Sequence, residues 1–177
     1  PRSCTRVGDA LVYDFGQNFA GVVRLTIRGR RGQKILVRHA EILNPDGTLN
    51  TAFLRSAKAR IEYTCAGGEE TYSPAFTYMG FRYVGGEGIE AEDIDVTAAA
   101  LYSDLAETGG FSCSNEMLNQ LQSNIRWGAK SNFVDIPTDC PQRDERMGWT
   151  GDIAVFSPTA CFNFDMSGFL EKWMLDV

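Results

Sequence analysis

Residues 21–29 read GVVRLTIRG. In an extended chain Val23, Leu25 and Ile27 fall on one side and Arg24, Thr26 and Arg28 on the other. That period of two marks a half-buried strand. A turn, GRRGQ, follows, and then a second strand candidate, KILVRHAEIL. NPDGTLN at residues 44–50 is a strong turn signal, because Pro45 pre-sets φ and Asp46-Gly47 tolerates φ above zero. ARIEYTC, TYSPAFTYMGFRYVG and DIDVTAAALYSDL supply further strands, and within the last of these the apolar run VTAAALY reads as buried. Strands parted by Gly-rich turns, with no helical spacing among them, predict a β-sandwich over about residues 10–105.

The pattern changes at AETGGFSCSNE, residues 106–116, whose glycines and small polar residues mark a boundary. The chain therefore divides into a β-sandwich domain over 1–107 and a helical part over 108–177. Leu118, Leu121 and Ile125 recur at helical spacing, with Ser114 as candidate N-cap and Glu116 in the first turn. Asp152 is a candidate cap for a helix through IAVFSPTACF, which Pro158 should kink or break. A last helix lies in SGFLEKWMLDV, with Phe169, Leu170, Trp173 and Met174 on its apolar face. About three helices are too few to enclose their own apolar faces, so this part should expose apolar surface.

The bulk composition narrows the partners. The 177 residues carry 17 Lys and Arg against 23 Asp and Glu, a net charge of -6. Such a balance argues against nucleic acid or an anionic membrane, both of which reward clustered cations. No stretch approaches the roughly 20 apolar residues of a membrane helix. Five scattered cysteines and a single histidine, His39, argue for reduced thiols and against a disulfide framework or a zinc site. His39, inside a strand candidate, reads as a packed or hydrogen-bonded residue rather than a ligand. The aromatics of FTYMGFRYV (Phe76, Tyr78, Phe81, Tyr83) read as sheet core and cross-strand pairs rather than a sugar platform. The chain starts at Pro1, so its compartment is left open, and it is expected to begin inside a longer protein or after processing.

Residues 139–152, DCPQRDERMGWTGD, fit neither a core segment nor a solvated surface. Acids, arginines and a tryptophan interleaved in a loop between helices suit a sugar site. Glycoside hydrolysis uses two carboxyl groups, one a proton donor and the other a base or nucleophile. Further carboxylates bind vicinal hydroxyls, and an indole offers a flat wall to a pyranose. The same composition also serves as a structural ion-pair network, with Asp152 as a helix cap, Trp149 as a core anchor, and Gly148 and Gly151 as turn glycines.

DCPQRDERMGWTGD, with SNFVDIPT upstream and PTAC downstream, resembles the signature of the α-L-rhamnosidases of glycoside hydrolase family 78. DFGQNFAGVVRLTIRGRRGQKILVRHAEILNPDGTLNT and FTYMGFRYV resemble β-domain segments of that family, so the likeness runs from about Leu11 to Val177. Met147 stands where leucine is usual, and Tyr78 where histidine is common. The resemblance implies a β-sandwich followed by the first helices of a catalytic (α/α)6 barrel. It implies an inverting hydrolase acting on rhamnose-containing glycosides or polysaccharides, with no cofactor or metal needed for the cleavage. Glu145 would be the general acid; Asp139, Arg143, Asp144 and Trp149 would bind the sugar or orient the acids. The family's general base is a glutamate far downstream, so the chain would be an inactive fragment holding the acid half of the site. The alternative is a non-catalytic carbohydrate-binding or structural module of a larger glycosidase.

Overall fold

A computed structural model describes residues 1–177. They group into two compact units, one of residues 1–100 with 142–144 and one of residues 101–141 with 145–177.

In the first unit seven strands form one antiparallel sheet. They are β1 (Ser3–Val7), β2 (Ala10–Gly29), β3 (Lys34–Ala40), β4 (Arg60–Thr64), β5 (Gly68–Tyr72), β6 (Met79–Glu87) and β7 (Ile94–Ala100). The alternation at residues 21–29 holds: Val23, Leu25 and Ile27 are fully buried, while Arg24 and Arg28 are exposed. That stretch is the second half of β2, the spine of the sheet. The first half of β2 pairs with β1 and β6, and the second with β5 and β7. Beyond β6 come β3 and β4. Tyr63 of β4 and Tyr72 of β5 bring their rings within 5.2 Å, and the Tyr63 hydroxyl donates to Glu70 at 2.7 Å. Strands far apart in the hydrogen-bonded order thus meet through side chains. This is the β part that the alternation predicts.

Three details of the β reading change. Residues 10–20 belong to β2 although their alternation is broken, because the register against β6 shifts between Asp14 and Phe19. Asp14 stabilises this bulge: one carboxylate oxygen accepts from Gly16 N–H at 2.6 Å, and Arg82 grips both oxygens at 2.8 Å. The Arg82 hydrogen bond, above all, holds the Asp14 carboxyl below the usual range. VTAAALY is not a buried strand; Val96 is buried, but Leu101 and Tyr102 are exposed beyond the end of β7. FTYMGFRYV is not uniformly core either. Phe81 is fully buried, Tyr78 and Tyr83 are half-buried, and Phe76 is wholly exposed at φ +61°.

His39 is structural, as its place in a strand predicts. Its Nδ1 lies 2.9 Å from the Ala59 carbonyl, and its ring meets Phe81 edge-on at 4.9 Å. Burial pushes the imidazole down from 6.5 to about 4. The folded chain therefore keeps His39 neutral where the unfolded chain takes up a proton. Its contribution to stability is complete above pH about 6.5, falls as pH drops toward 4 and levels off below, a loss of about 3 kcal/mol. The urea midpoint should drop across that window, and His39→Gln should flatten the slope. An equal slope in the variant would refute this account.

The second unit holds α1 (Glu116–Asn132), a short hairpin of β8 (Phe133–Val134) and β9 (Ile136–Pro137), α2 (Thr150–Asn163) and α3 (Ser167–Asp176). Asn115, not Ser114, caps α1, accepting the Met117 N–H at 3.0 Å. Asp152 is not the cap of α2: that helix starts behind Trp149, and Asp152 sits inside its first turn, where the dipole favours an acid. Nor does Pro158 end the helix. Proline costs the Ala154 carbonyl its usual N–H donor, and the Ser157 hydroxyl donates to that carbonyl at 3.4 Å instead.

Ala129, Phe133, Ile153, Ala160, Phe164, Met166, Phe169 and Trp173 form the core of this unit, with Leu170 packed against it. Met174 is outside that core, 73% exposed. Buried Asn163 ties α1 to α2, accepting from Gln122 at 2.6 Å and donating to the Thr159 carbonyl at 2.8 Å. Leu118, Leu121, Val155, Phe162 and Leu175 remain exposed, the apolar surface that three helices cannot cover. No helix is long and apolar enough to cross a membrane.

Candidate active site

Residues 139–147 form a loop closed at its base by backbone hydrogen bonding. Asp139 N–H donates to the Met147 carbonyl at 3.0 Å, and Met147 N–H donates back to the Asp139 carboxylate at 2.8 Å. Between these ends the chain takes a sharp course, with Arg146 in the left-handed region at φ +54°. Such a conformation costs a non-glycine residue on the order of 1 kcal/mol and is held by its surroundings. Here the Asp139–Met147 pair supplies part of that restraint.

The closure brings acids together. Carboxylate oxygens of Asp139 and Glu145 and the Cys140 sulfur all lie within 4.8 Å of one another. Cys140 is buried, while Asp139 and Glu145 are half-buried, so the carboxylates stand at a surface with a packed floor beneath. The Trp149 indole N–H donates to Glu145 Oε1 at 3.1 Å. Trp149 itself is exposed, so one indole face can be offered to a ligand while its N–H orients the acid.

Asp144 and Arg143 cluster with the first unit. Asp144 accepts a hydrogen bond from the Ser56 hydroxyl. That bond, helped by the nearby Arg55 guanidinium, holds the Asp144 carboxyl below its usual range. Asp144 is thus an exposed carboxylate engaged by Ser56. Periodicity gave no sign of Ser56, because the contact joins residues 88 apart in the chain.

A cavity of about 640 Å³ lies between α1 and α2 and reaches the acid cluster at Asp139. Asp152 lines it as well, which the reading of Asp152 as a helix cap missed. Glu145 and Trp149 do not line it, and much of its wall is apolar, including Ile125, Phe133, Ile153 and Phe156. The side-chain convergence around Glu145, rather than this cavity, is therefore the chemically informative feature. Asp139, Cys140 and Glu145 are also the side chains placed to share a cation. Two hard oxygens and one thiol match neither an all-oxygen calcium shell nor a closed zinc tetrahedron.

Both units match domains of known proteins. Residues 5–102 match the bacterial alpha-L-rhamnosidase concanavalin-like domain, and residues 106–177 the bacterial alpha-L-rhamnosidase 6 hairpin glycosidase domain. An alpha-L-rhamnosidase of Streptomyces avermitilis is 50% identical over 169 residues, covering 94% of this chain and 16% of that one. One from Formosa agariphila is 48% identical over 174 residues, covering 96% of this chain and 19% of that one. The crystal structure of the Streptomyces avermitilis enzyme complexed with L-rhamnose superimposes with a TM-score of 0.95 at 48% identity, over 99% of this chain and 17% of that one. The chain thus spans 16–19% of the length of these relatives.

Proposed function

Because the chain belongs to the bacterial α-L-rhamnosidases, glycoside hydrolase family 78, we propose that it is the acid-bearing part of an inverting hydrolase of terminal α-L-rhamnosides. Glu145 is the general acid. The observation that carries this reading is the meeting of the Asp139 and Glu145 carboxylates, with Trp149 N–H on Glu145 Oε1 at 3.1 Å. A donor on Oε1 favours the acidic proton on the other oxygen, the geometry needed to protonate a departing glycosidic oxygen. Asp139 accepts hydrogen bonds from ring hydroxyls and favours the positive charge that develops at the anomeric carbon. Trp149 forms a wall against the apolar face and C6 methyl of the sugar. Sugar-binding or acid-orienting roles for Arg143 and Asp144 rest on the family resemblance alone.

Asp139 is not the base. Its oxygen lies within 4.8 Å of one on Glu145. An inverting pair stands roughly 6.5–9.5 Å apart, with water held on the opposite face of the sugar. By the family resemblance, the base would be a second glutamate of the full-length protein, working across the ring from Glu145.

Stereochemistry tests the reading. Full-length protein turning over an α-L-rhamnoside should release β-L-rhamnose first, seen by proton NMR before mutarotation. Initial release of the α anomer would overturn the inverting assignment.

A further inference from the structure

Gly148 lies between the residue that closes the loop, Met147, and the residue that holds the acid, Trp149. It is not an ordinary turn glycine. Its φ is outside the left-handed region, so an L-residue could adopt its backbone. What a side chain there would meet is the Trp173 ring: a Cβ would fall 2.8 Å from Cζ3 and 3.3 Å from Cζ2. Real Cβ atoms essentially never come within 3.0 Å of another heavy atom, so the ring would have to shift. Trp173 has little room to do so, because it is buried among the core side chains of this unit.

We propose that Trp173 is a positioning residue for Glu145, its indole forming the seat on which the Gly148 backbone rests. This rests on the assignment of Glu145 as general acid. The chain of contacts is short: Trp173 supports Gly148, the next residue is Trp149, and its N–H orients the Glu145 carboxyl. The Asp139–Met147 pair fixes the other side of Gly148. A displaced seat therefore moves the proton donor without touching it. Displacements of about 1 Å in a reacting group can cost on the order of 100-fold in rate.

The test uses the full-length protein with Gly148→Ala, Trp173→Phe and the double variant, each on a natural rhamnoside and on an aryl rhamnoside with an activated leaving group. Phenylalanine lacks the outer indole atoms that a Cβ at 148 would strike. Gly148→Ala should lower kcat on the natural glycoside about 10- to 100-fold and on the activated substrate much less, because good leaving groups need little protonation. Adding Trp173→Phe should restore most of the loss. Simple unfolding would lower both substrates equally, and that result, or failure of the double variant to recover, would overturn the proposal. Glu145→Gln, run in parallel, separates the premise: if it retains activity, the general-acid assignment falls and the seat falls with it. If it loses activity while Gly148→Ala does not, the seat alone is wrong.

Discussion

Glutamine at position 145 of the full-length protein should lower kcat on a natural rhamnoside about 10²- to 10⁴-fold and leave the unfolding midpoint unchanged. Glutamine keeps the shape of the side chain and an amide oxygen that can still accept from Trp149 N–H. It cannot deliver a proton. The expected loss corresponds to about 3–5 kcal/mol of transition-state stabilisation. An activated aryl rhamnoside should show a smaller loss, since its leaving oxygen departs with little help. Glu145 is half-buried and its carboxyl belongs to a loop rather than to the apolar core, so the fold should tolerate the change. Near wild-type kcat on the natural glycoside would return the acid cluster to a purely structural role.

Phe81→Ala should destabilise the β unit by about 3–5 kcal/mol, read as a lower urea midpoint. The ring is fully buried, and it is the hub of an aromatic cluster. Phe19, its partner across β2 and β6, lies at 4.8 Å, Phe15 at 5.8 Å and His39 at 4.9 Å. Removing it takes a wall from each neighbour at once, beside the bulge where β2 changes register. Phe76→Ala, five residues earlier, should change stability by less than about 0.5 kcal/mol, because Phe76 packs nothing of its surface away. A loss at Phe76 comparable to that at Phe81 would contradict the packing described.

These two phenylalanines mark the limit of local reading. Both stand in one aromatic run, and nothing in their spacing separates the hub of the core from an exposed loop residue. The alternation in residues 21–29 was readable because burial there repeats every second residue, and the backbone alone imposes that repeat. Residues 10–20 were not, because the bulge is held by Arg82, which is 68 residues from Asp14. The helical part behaves in the same way. Spacing located α1 and α3, yet Asp152 passed for a cap, and of the kink or break expected at Pro158 the break does not occur. Helix boundaries depend on which side chain reaches an orphaned carbonyl or amide, and here Ser157 reaches the one that Pro158 leaves open.

What the sequence by itself determined is the succession of a β part and a helical part, and a loop dense in acids whose residues carry the family resemblance. Backbone periodicity and a contiguous motif are local, so they survive without coordinates. Only the tertiary structure decided that Asp139 and Glu145 converge while Asp144 is engaged by Ser56, and that a Cβ at Gly148 would strike Trp173. Directions of side chains in a loop, and the space left beside a glycine, are set by contacts between residues far apart in the chain.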